Sequence, residues 1–407
     1  MNSMMLVTLF GPKNTDALAV VGQLADAHSA TLRDVQQTRT TTRYSLHALF
    51  DIKLSDDKSN DYHRLFDDLS AAIRAYAQEN QCEVSIDSVL AQDTTCSAQP
   101  AYRLLLMGET ISLADISAVN AVASEFSLSF ETIQWLSDGD MIEQESHSFF
   151  VVECLASTPP SDESGLRQAL LQLSQERSLD LHLQKNGYDS RHRRLVCFDM
   201  DSTLIDAEVI DELAKEIGVG DKVAAITESA MRGDIAFDES FRQRMALLEG
   251  LDESVLASIA SRLKLNPGVE KLFVNLNKRG YKTAILSGGF DYFGRYLQQK
   301  LGVDYVYANN LDIVDGKVTG KVSGDIVNGE RKAELLKMLA EKEGLRLSEV
   351  VAIGDGANDL LMLDTAGMGV AFRAKPRVKA AAKFNVSYLG LDSVLYLMGF
   401  NAVDIDE

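Results

Sequence analysis

The apolar run Leu195-Val196-Cys197-Phe198 leads directly into Asp199-Met200-Asp201-Ser202-Thr203, and this stretch decides the fold. The run reads as a buried strand. Two carboxylates two residues apart at its C-terminal end point the same way. Left uncompensated they repel and raise each other's pKa, so they call for a cation or a shared proton. The spacing alone is equally compatible with an Asp-Ser cluster that only caps the next helix.

From Arg194 onward, strand-like and helix-like segments alternate, which implies a mostly parallel sheet covered on both faces. The expected strands are Leu195–Phe198, Lys282–Leu286, Tyr305–Ala308, Val350–Ile353, Gly369–Phe372 and Val386–Leu389. Ligands in such sheets bind beyond the carboxyl ends of the strands, and several of these strands end in chemically loaded sequence. Ser287-Gly288-Gly289 offers a hydroxyl and bare backbone N–H groups suited to an oxyanion, although a capped glycine turn would look the same. Gly354-Asp355-Gly356-Ala357-Asn358-Asp359 places three oxygen-bearing side chains in one turn. An unpaired Asp355 charge at the end of a buried strand would be costly, and a cation shared with Asp199 removes that cost. Lys332, on a helix starting near Gly329-Glu330-Arg331, can reach the same crevice; a solvated surface lysine is the plain alternative. All six histidines precede Arg193. Any metal in the C-terminal half is therefore held by oxygen, which selects a hard ion such as Mg²⁺.

The order D-x-D-S-T, S-G-G, Lys and G-D-G-x-N-D resembles the four-motif signature of the haloacid-dehalogenase-like hydrolase superfamily, across residues 194–407. Within it the chain is most similar to the phosphoserine phosphatase family: Leu204-Ile205-Asp206-Ala207-Glu208 follows the first motif, and an insertion carries Met231, Phe237 and Arg244. The resemblance implies that Glu208 meets the substrate ammonium, Arg244 its carboxylate, and an apolar pair, Met231 and Phe237, closes over it. Taken singly, these are ordinary helix-surface charges and packing residues. About eighty residues separate Asp201 from the Lys282 strand, far more than the ~2–6 of an ordinary connection. They read as a helical cap, about 207–275, with helices over Val209–Ile217, Val223–Met231, Glu239–Leu248 and Ser254–Leu263. Asp315-Gly316 reads as a hairpin turn that could edge the site as a flap.

Asp199 is then the expected nucleophile and Asp201 the general acid and base, with Mg²⁺ held by the Asp199 carboxylate, the Asp201 carbonyl and the Asp355 carboxylate. Ser287, the Gly288 N–H and Lys332 take the other phosphate oxygens, and Asn358 and Asp359 orient the lysine or the metal's waters. The expected reaction is hydrolysis of O-phosphoserine to serine and phosphate through an aspartyl-phosphate, the last step of serine biosynthesis. Three rivals stand beside it: a same-fold phosphatase for another small phosphomonoester, a phosphoryl-transfer enzyme using a hydroxyl acceptor other than water, and an amino-acid-sensing binding protein.

The first half looks like two copies of one βαββαβ plan, 1–92 and 98–186, ahead of a hydrolase domain over 190–407, with Ala91–Pro100 as the link. The copies resemble tandem ACT domains, small ferredoxin-like α+β modules. The fold class is thus a Rossmann-like α/β core with a helical cap, preceded by two ACT-like domains. Copy one has Gly11, Asn14 and Asp16 where a ligand-binding module places its turn and acidic partner; copy two has only Gly108. The resemblance leaves open binding of an amino acid such as serine, a homodimer paired edge to edge, or docking without ligand.

A 407-residue chain leaves room for two or three domains. Its net charge of -20 disfavours nucleic-acid and anionic-membrane surfaces, which need clustered Lys and Arg. The basic run Arg191–Arg194 reads as a solvated linker face. No stretch approaches the ~20 apolar residues of a membrane span, and the N-terminus lacks a signal-peptide pattern. Cys82, Cys96, Cys154 and Cys197 show no paired spacing. A cytoplasmic protein with reduced thiols is expected.

Overall fold

A computed structural model describes residues 3–12, 16–40, 42–52, 59–90, 101–137, 149–187, 192–232 and 234–406. Asn14 and the expected link 91–100 lie outside them. The chain divides into two compact units, Met1–Gln99 and Pro100–Glu407.

In the first unit, β1 (Ser3–Pro12), β2 (Ala30–Arg39), β3 (Arg43–Ile52) and β4 (Glu83–Leu90) form an antiparallel sheet in the order β2-β3-β1-β4. Met5, Val7 and Leu9 alternate inward on β1 and pack with Val21, Ala25, Leu69 and Ile73 of the helices Ala17–Ala27 and Ser59–Glu79. The β-rich stretch expected over Thr40–Ile52 is only half of what forms. β2 precedes it, and its polar, mostly exposed residues give no apolar period to read.

The second unit opens with a sheet of the same plan: β5 (Tyr102–Gly108), β6 (Thr132–Trp135), β7 (Phe150–Ala156) and β8 (Asp180–Lys185), in the order β6-β7-β5-β8. Its helices Leu113–Glu125 and Glu163–Arg177 are fixed by their caps. Ser112 and Asp115 make a reciprocal capping box, and Asp162 accepts the Ser164 and Gly165 N–H groups. Every residue of β5 is buried, because the sheet is covered on both faces. Leu104 and Leu106 face the helices. Leu105, Met107 and Val151 instead join the large core that contains Phe198, Tyr396 and Leu397. Polar groups on that face are matched, except that neither ring nitrogen of His182, which pairs with Leu105 across the sheet, has a hydrogen-bond partner among the described residues. Arg103 pairs with Glu153 and donates to the Tyr396 carbonyl at 3.1 Å, and Gln184 donates to the Leu397 carbonyl at 3.3 Å.

The main sheet has seven strands: β9 (Leu195–Phe198), β10 (Lys282–Phe290), β11 (Tyr305–Val314), β12 (Lys317–Ser323), β13 (Val350–Gly354), β14 (Met368–Phe372) and β15 (Phe384–Val386). Their order is β12-β11-β10-β9-β13-β14-β15, parallel except for the β11–β12 hairpin. Asp315 and Gly316 both have positive φ, 51° and 74°, as a two-residue hairpin turn requires. β9 is central, so its end opens on the crevice.

The last strand differs from expectation: it ends at Val386, not Leu389. The N–H groups of Ser387, Tyr388 and Leu389 turn away from the sheet onto the Asp180 carboxylate, at 2.8, 3.2 and 3.3 Å. Four helices, Val209–Glu216, Gly220–Arg232, Phe237–Ala246 and Ser254–Arg262, fill the insertion after β9. The chain rejoins the sheet layer where Leu265 bridges Ile205 and the Asn266 N–H reaches the Leu204 carbonyl. The helix Val269–Lys278, inside the expected cap limit, packs its Phe273 on Phe198 instead. No described helix is long and apolar enough to cross a membrane.

Candidate active site

Past Phe198 the backbone holds its ladder for one more residue, with the Asp199 N–H donating to Ile353 at 2.9 Å. It then turns through Ser202, whose φ of 58° is left-handed and strained for a residue with a side chain. Asn266 fixes that turn by donating to the Ser202 and Thr203 carbonyls at 3.1 and 2.9 Å.

Lys332 is fully buried between two carboxylates, 2.8 Å from Asp199 and 2.7 Å from Asp359. It is carried there by the helix Gly329–Lys342, whose first turn Asn328 caps. Burial opposes its charge, but the two carboxylates more than offset this and hold its ammonium above the usual lysine range.

Asp355 directly follows β13 and accepts from the Thr203 hydroxyl at 3.1 Å. Burial, then Asp199, Asp359 and Glu208, push its carboxyl up to about 8; Asp359 rises to about 7 by burial and by Asp199, with Lys332 pulling the other way. Asp199, Asp355 and Asp359 bring carboxylate oxygens within 4.8 Å of one another. Asp355 has no ion-pair partner among the described residues. Three crowded carboxylates, oxygen donors only and one ammonium among them fit a hard divalent cation.

The Asp201 carboxylate accepts the Val209 N–H at 3.0 Å, tying the first motif to the start of the cap. Burial, Glu208 and Asp199 raise it well above the ordinary carboxylate range. A side chain at Gly289 would collide with it, so only glycine lets the S-G-G turn approach. Ser287 is buried and its hydroxyl accepts the Gly289 N–H at 2.9 Å.

From the cap, Glu208 accepts from Ser202 at 2.9 Å. The surrounding protein, Asp199 and Asp211 raise its carboxyl against the pull of Ser202 and Arg244. Arg244 is half-buried; burial lowers its pKa against the opposing charges of Glu208, Asp211 and Asp201. Phe237 stacks on Phe241, ring centroids 6.4 Å apart, and lies over Gly288. The Met231 side chain lies outside the described residues. Asn358 turns its carbonyl toward Gly329, and the contact with Lys332 comes from Asp359. The structure thus brings Asp199, Asp201, Asp355, Lys332, Ser287, Gly288, Glu208, Phe237 and Arg244 to one crevice. Thr203, Asn266 and Asn309, whose Nδ2 donates to the Gly288 carbonyl at 2.8 Å, also hold it and were not expected. Only the threonine lies within a motif, so spacing gave no sign of the other two.

This geometry is that of a capped hydrolase with a carboxylate at its centre, and residues 196–364 match the family of haloacid dehalogenase-like hydrolases. The phosphoserine phosphatase of Streptomyces coelicolor is 35% identical over 402 residues, covering 99% of this chain and 93% of that protein. That of Archaeoglobus fulgidus is 45% identical over 249 residues, 60% of this chain and 72% of its own. The solved structure of a probable phosphoserine phosphatase from Vibrio cholerae, unliganded, aligns with a TM-score of 0.57 at 30% identity, covering 73% of this chain and 86% of that one. The chain belongs to the phosphoserine phosphatase family.

Proposed function

We propose that this protein is a Mg²⁺-dependent phosphatase that hydrolyses O-phosphoserine to serine and phosphate, the final step of serine biosynthesis, in the cytoplasm. The observation that carries the reading is the buried Lys332 ammonium set between Asp199 and Asp359, beside Asp355 and beneath the cap charges Glu208 and Arg244.

Asp199 attacks phosphorus, forming an aspartyl-phosphate as the serine ester bond breaks, which splits one hard displacement into two easier ones. Asp201 gives its proton to the leaving alkoxide and then takes one from the water that cleaves the intermediate. Ser287, the Gly288 N–H and Lys332 hold the phosphoryl oxygens as charge builds on them. The Asp199 and Asp355 carboxylates and the Asp201 carbonyl would hold Mg²⁺, which neutralises phosphoryl charge. Glu208 receives the substrate ammonium and Arg244 its carboxylate, while Met231 and Phe237 close over them. Asn358 supports the Gly354–Asp359 turn.

The test is phosphate release from phosphoserine, phosphoethanolamine and an aryl phosphate, with Mg²⁺ and with EDTA, for wild type and Asp199→Asn. Metal-dependent turnover favouring phosphoserine and lost in the variant supports the reading. Equal rates on phosphoethanolamine remove the Arg244 role, and no turnover on any of the three shifts the weight to an amino-acid sensor. Domain limits of 1–92, 98–186 and 190–407 go with this reading, as do serine binding or homodimer formation by the ACT-like modules. Serine added to the full chain tests that binding by thermal shift.

A further inference from the structure

The S-G-G turn, the loop that starts the Lys332 helix and the first turn of the cap helix Phe237–Ala246 are joined by side chains that the chemistry above leaves unused. Asn309, buried on β11, donates its Nδ2 to the Gly288 carbonyl and accepts the Val327 N–H with its Oδ1, both at 2.8 Å. One residue further, the Asn328 Oδ1 accepts the Arg331 N–H at 3.0 Å and so caps the helix. That leaves the Asn328 Nδ2 to donate outward to the Asp238 Oδ1 on the cap, at 3.1 Å. The neighbour of Asp238, Phe237, sits over the phosphate turn: a Cβ added at Gly288 would stand 3.1 Å from its ring. The contacts close a ring running Gly288, Asn309, Val327, Asn328, Asp238, Phe237 and back to Gly288. Asn328 to Asp238 is its polar crossing from core to cap.

We propose that Asp238 and Asn328 are positioning residues that latch the cap over the phosphate-binding turn. The proposal rests on the phosphatase reading, because the latch acts through Phe237 and Arg244 on the helix that Asp238 begins. The choice of residue follows from chemistry. An aspartate at 328 would cap the helix equally well, but an ionised carboxylate has no proton to donate, whereas the amide accepts from the helix with its oxygen and donates to a carboxylate with its nitrogen. A hydrogen bond to a charged group contributes about 1.5–3 kcal/mol, so losing it shifts the closed-to-open balance by about tenfold or more.

The test uses the full chain with Asn328→Asp, which keeps the helix cap but sets a carboxylate against Asp238, and with the swapped pair Asp238→Asn plus Asn328→Asp. In the swapped pair Asn at 238 can donate to Asp at 328, restoring the link in reverse. Asn328→Asp is expected to raise KM for phosphoserine about tenfold with a smaller change in kcat. It is also expected to speed amide hydrogen exchange across residues 237–246 in the substrate-free protein. The swapped pair should return both to near the wild-type values. A swapped pair as impaired as Asn328→Asp overturns the latch, since a carboxylate near the phosphate turn then explains the defect. So does a single variant with unchanged KM and exchange. Exchange needs no turnover, so a wild type inactive on phosphoserine would sink the functional reading while the latch is still judged.

Discussion

Replacing His182 by leucine should make the protein more resistant to acid, and the gain can be worked from its surroundings. His182 lies on β8, buried against Phe384, and among the described residues neither ring nitrogen has a hydrogen-bond partner. Burial, with Arg167 adding to it, pulls its pKa down to about 3 from 6.5. Between those values the unfolded chain binds a proton that the folded one refuses, so stability falls as pH falls through that window. At about 1.4 kcal/mol per unit, the deficit at pH 5 is about 2 kcal/mol. Asp180, two residues away, has the opposite sign. Burial lifts its carboxyl to about 6, against the pull of three backbone N–H groups, so its stabilising effect is full below 3.8 and lost as pH rises toward 6. The two slopes oppose each other in the wild type, and the difference between wild type and variant isolates the histidine. The assay is urea unfolding at pH 7.5 and pH 5, followed by Trp135, the sole tryptophan, which packs edge-on against Phe150 in the same sheet. The variant's advantage should grow by about 2 kcal/mol between the two conditions. An advantage of equal size at both would show that His182 is not held neutral in the fold.

Arg244→Met should lower kcat/KM for phosphoserine by about ten- to a hundredfold, the worth of a charge-assisted hydrogen bond, while leaving phosphoethanolamine turnover unchanged in steady-state assays. Lys332→Met strips the buried ammonium from Asp199 and Asp359 and should cost about 3–5 kcal/mol in denaturant unfolding, as well as turnover. Mg²⁺ at about a hundred times its Kd should stabilise the wild type by about 2.7 kcal/mol, read as a thermal shift; Asp355→Asn should lose most of that shift.

The catalytic half was largely legible because its chemistry sits at strand ends, where an apolar run stops at a polar cluster. Asp199, Ser287 and Asp355 could each be placed that way. The side chains that hold them could not. Asn328 can be read as a helix cap from sequence, but its partner Asp238 lies 90 positions away, and Asn266 and Asn309 belong to no motif. The burial of β5 on both faces was not legible: Leu104-Leu105-Leu106-Met107 is continuously apolar, but so is Met4-Met5-Leu6-Val7 of β1, whose burial alternates. An unbroken apolar run suits a strand buried on both faces, but the same run stands in a strand that buries one, so the docking of the second module shows only in the fold. β15 was displaced because Asp180, more than two hundred positions earlier, claims the N–H groups that would have extended it.

The same Asp180 contact bears on whether a second copy can add a strand to the sheet. A sheet that ends in unpaired N–H and C=O groups is a template for another copy to add a strand. Beyond β15 the N–H groups of Ser387, Tyr388 and Leu389 are taken by the Asp180 carboxylate. At the opposite rim, β12 is shielded by the 250–253 loop, where Gly250 donates to Val318, Val318 to Leu251 and Glu253 to Gly316, at 2.8, 2.9 and 2.9 Å. A fragment beginning after Lys185 would lose the first of these covers and bare the apolar surface under Leu105 and Met107. Its failure would show as aggregation rather than as slow catalysis.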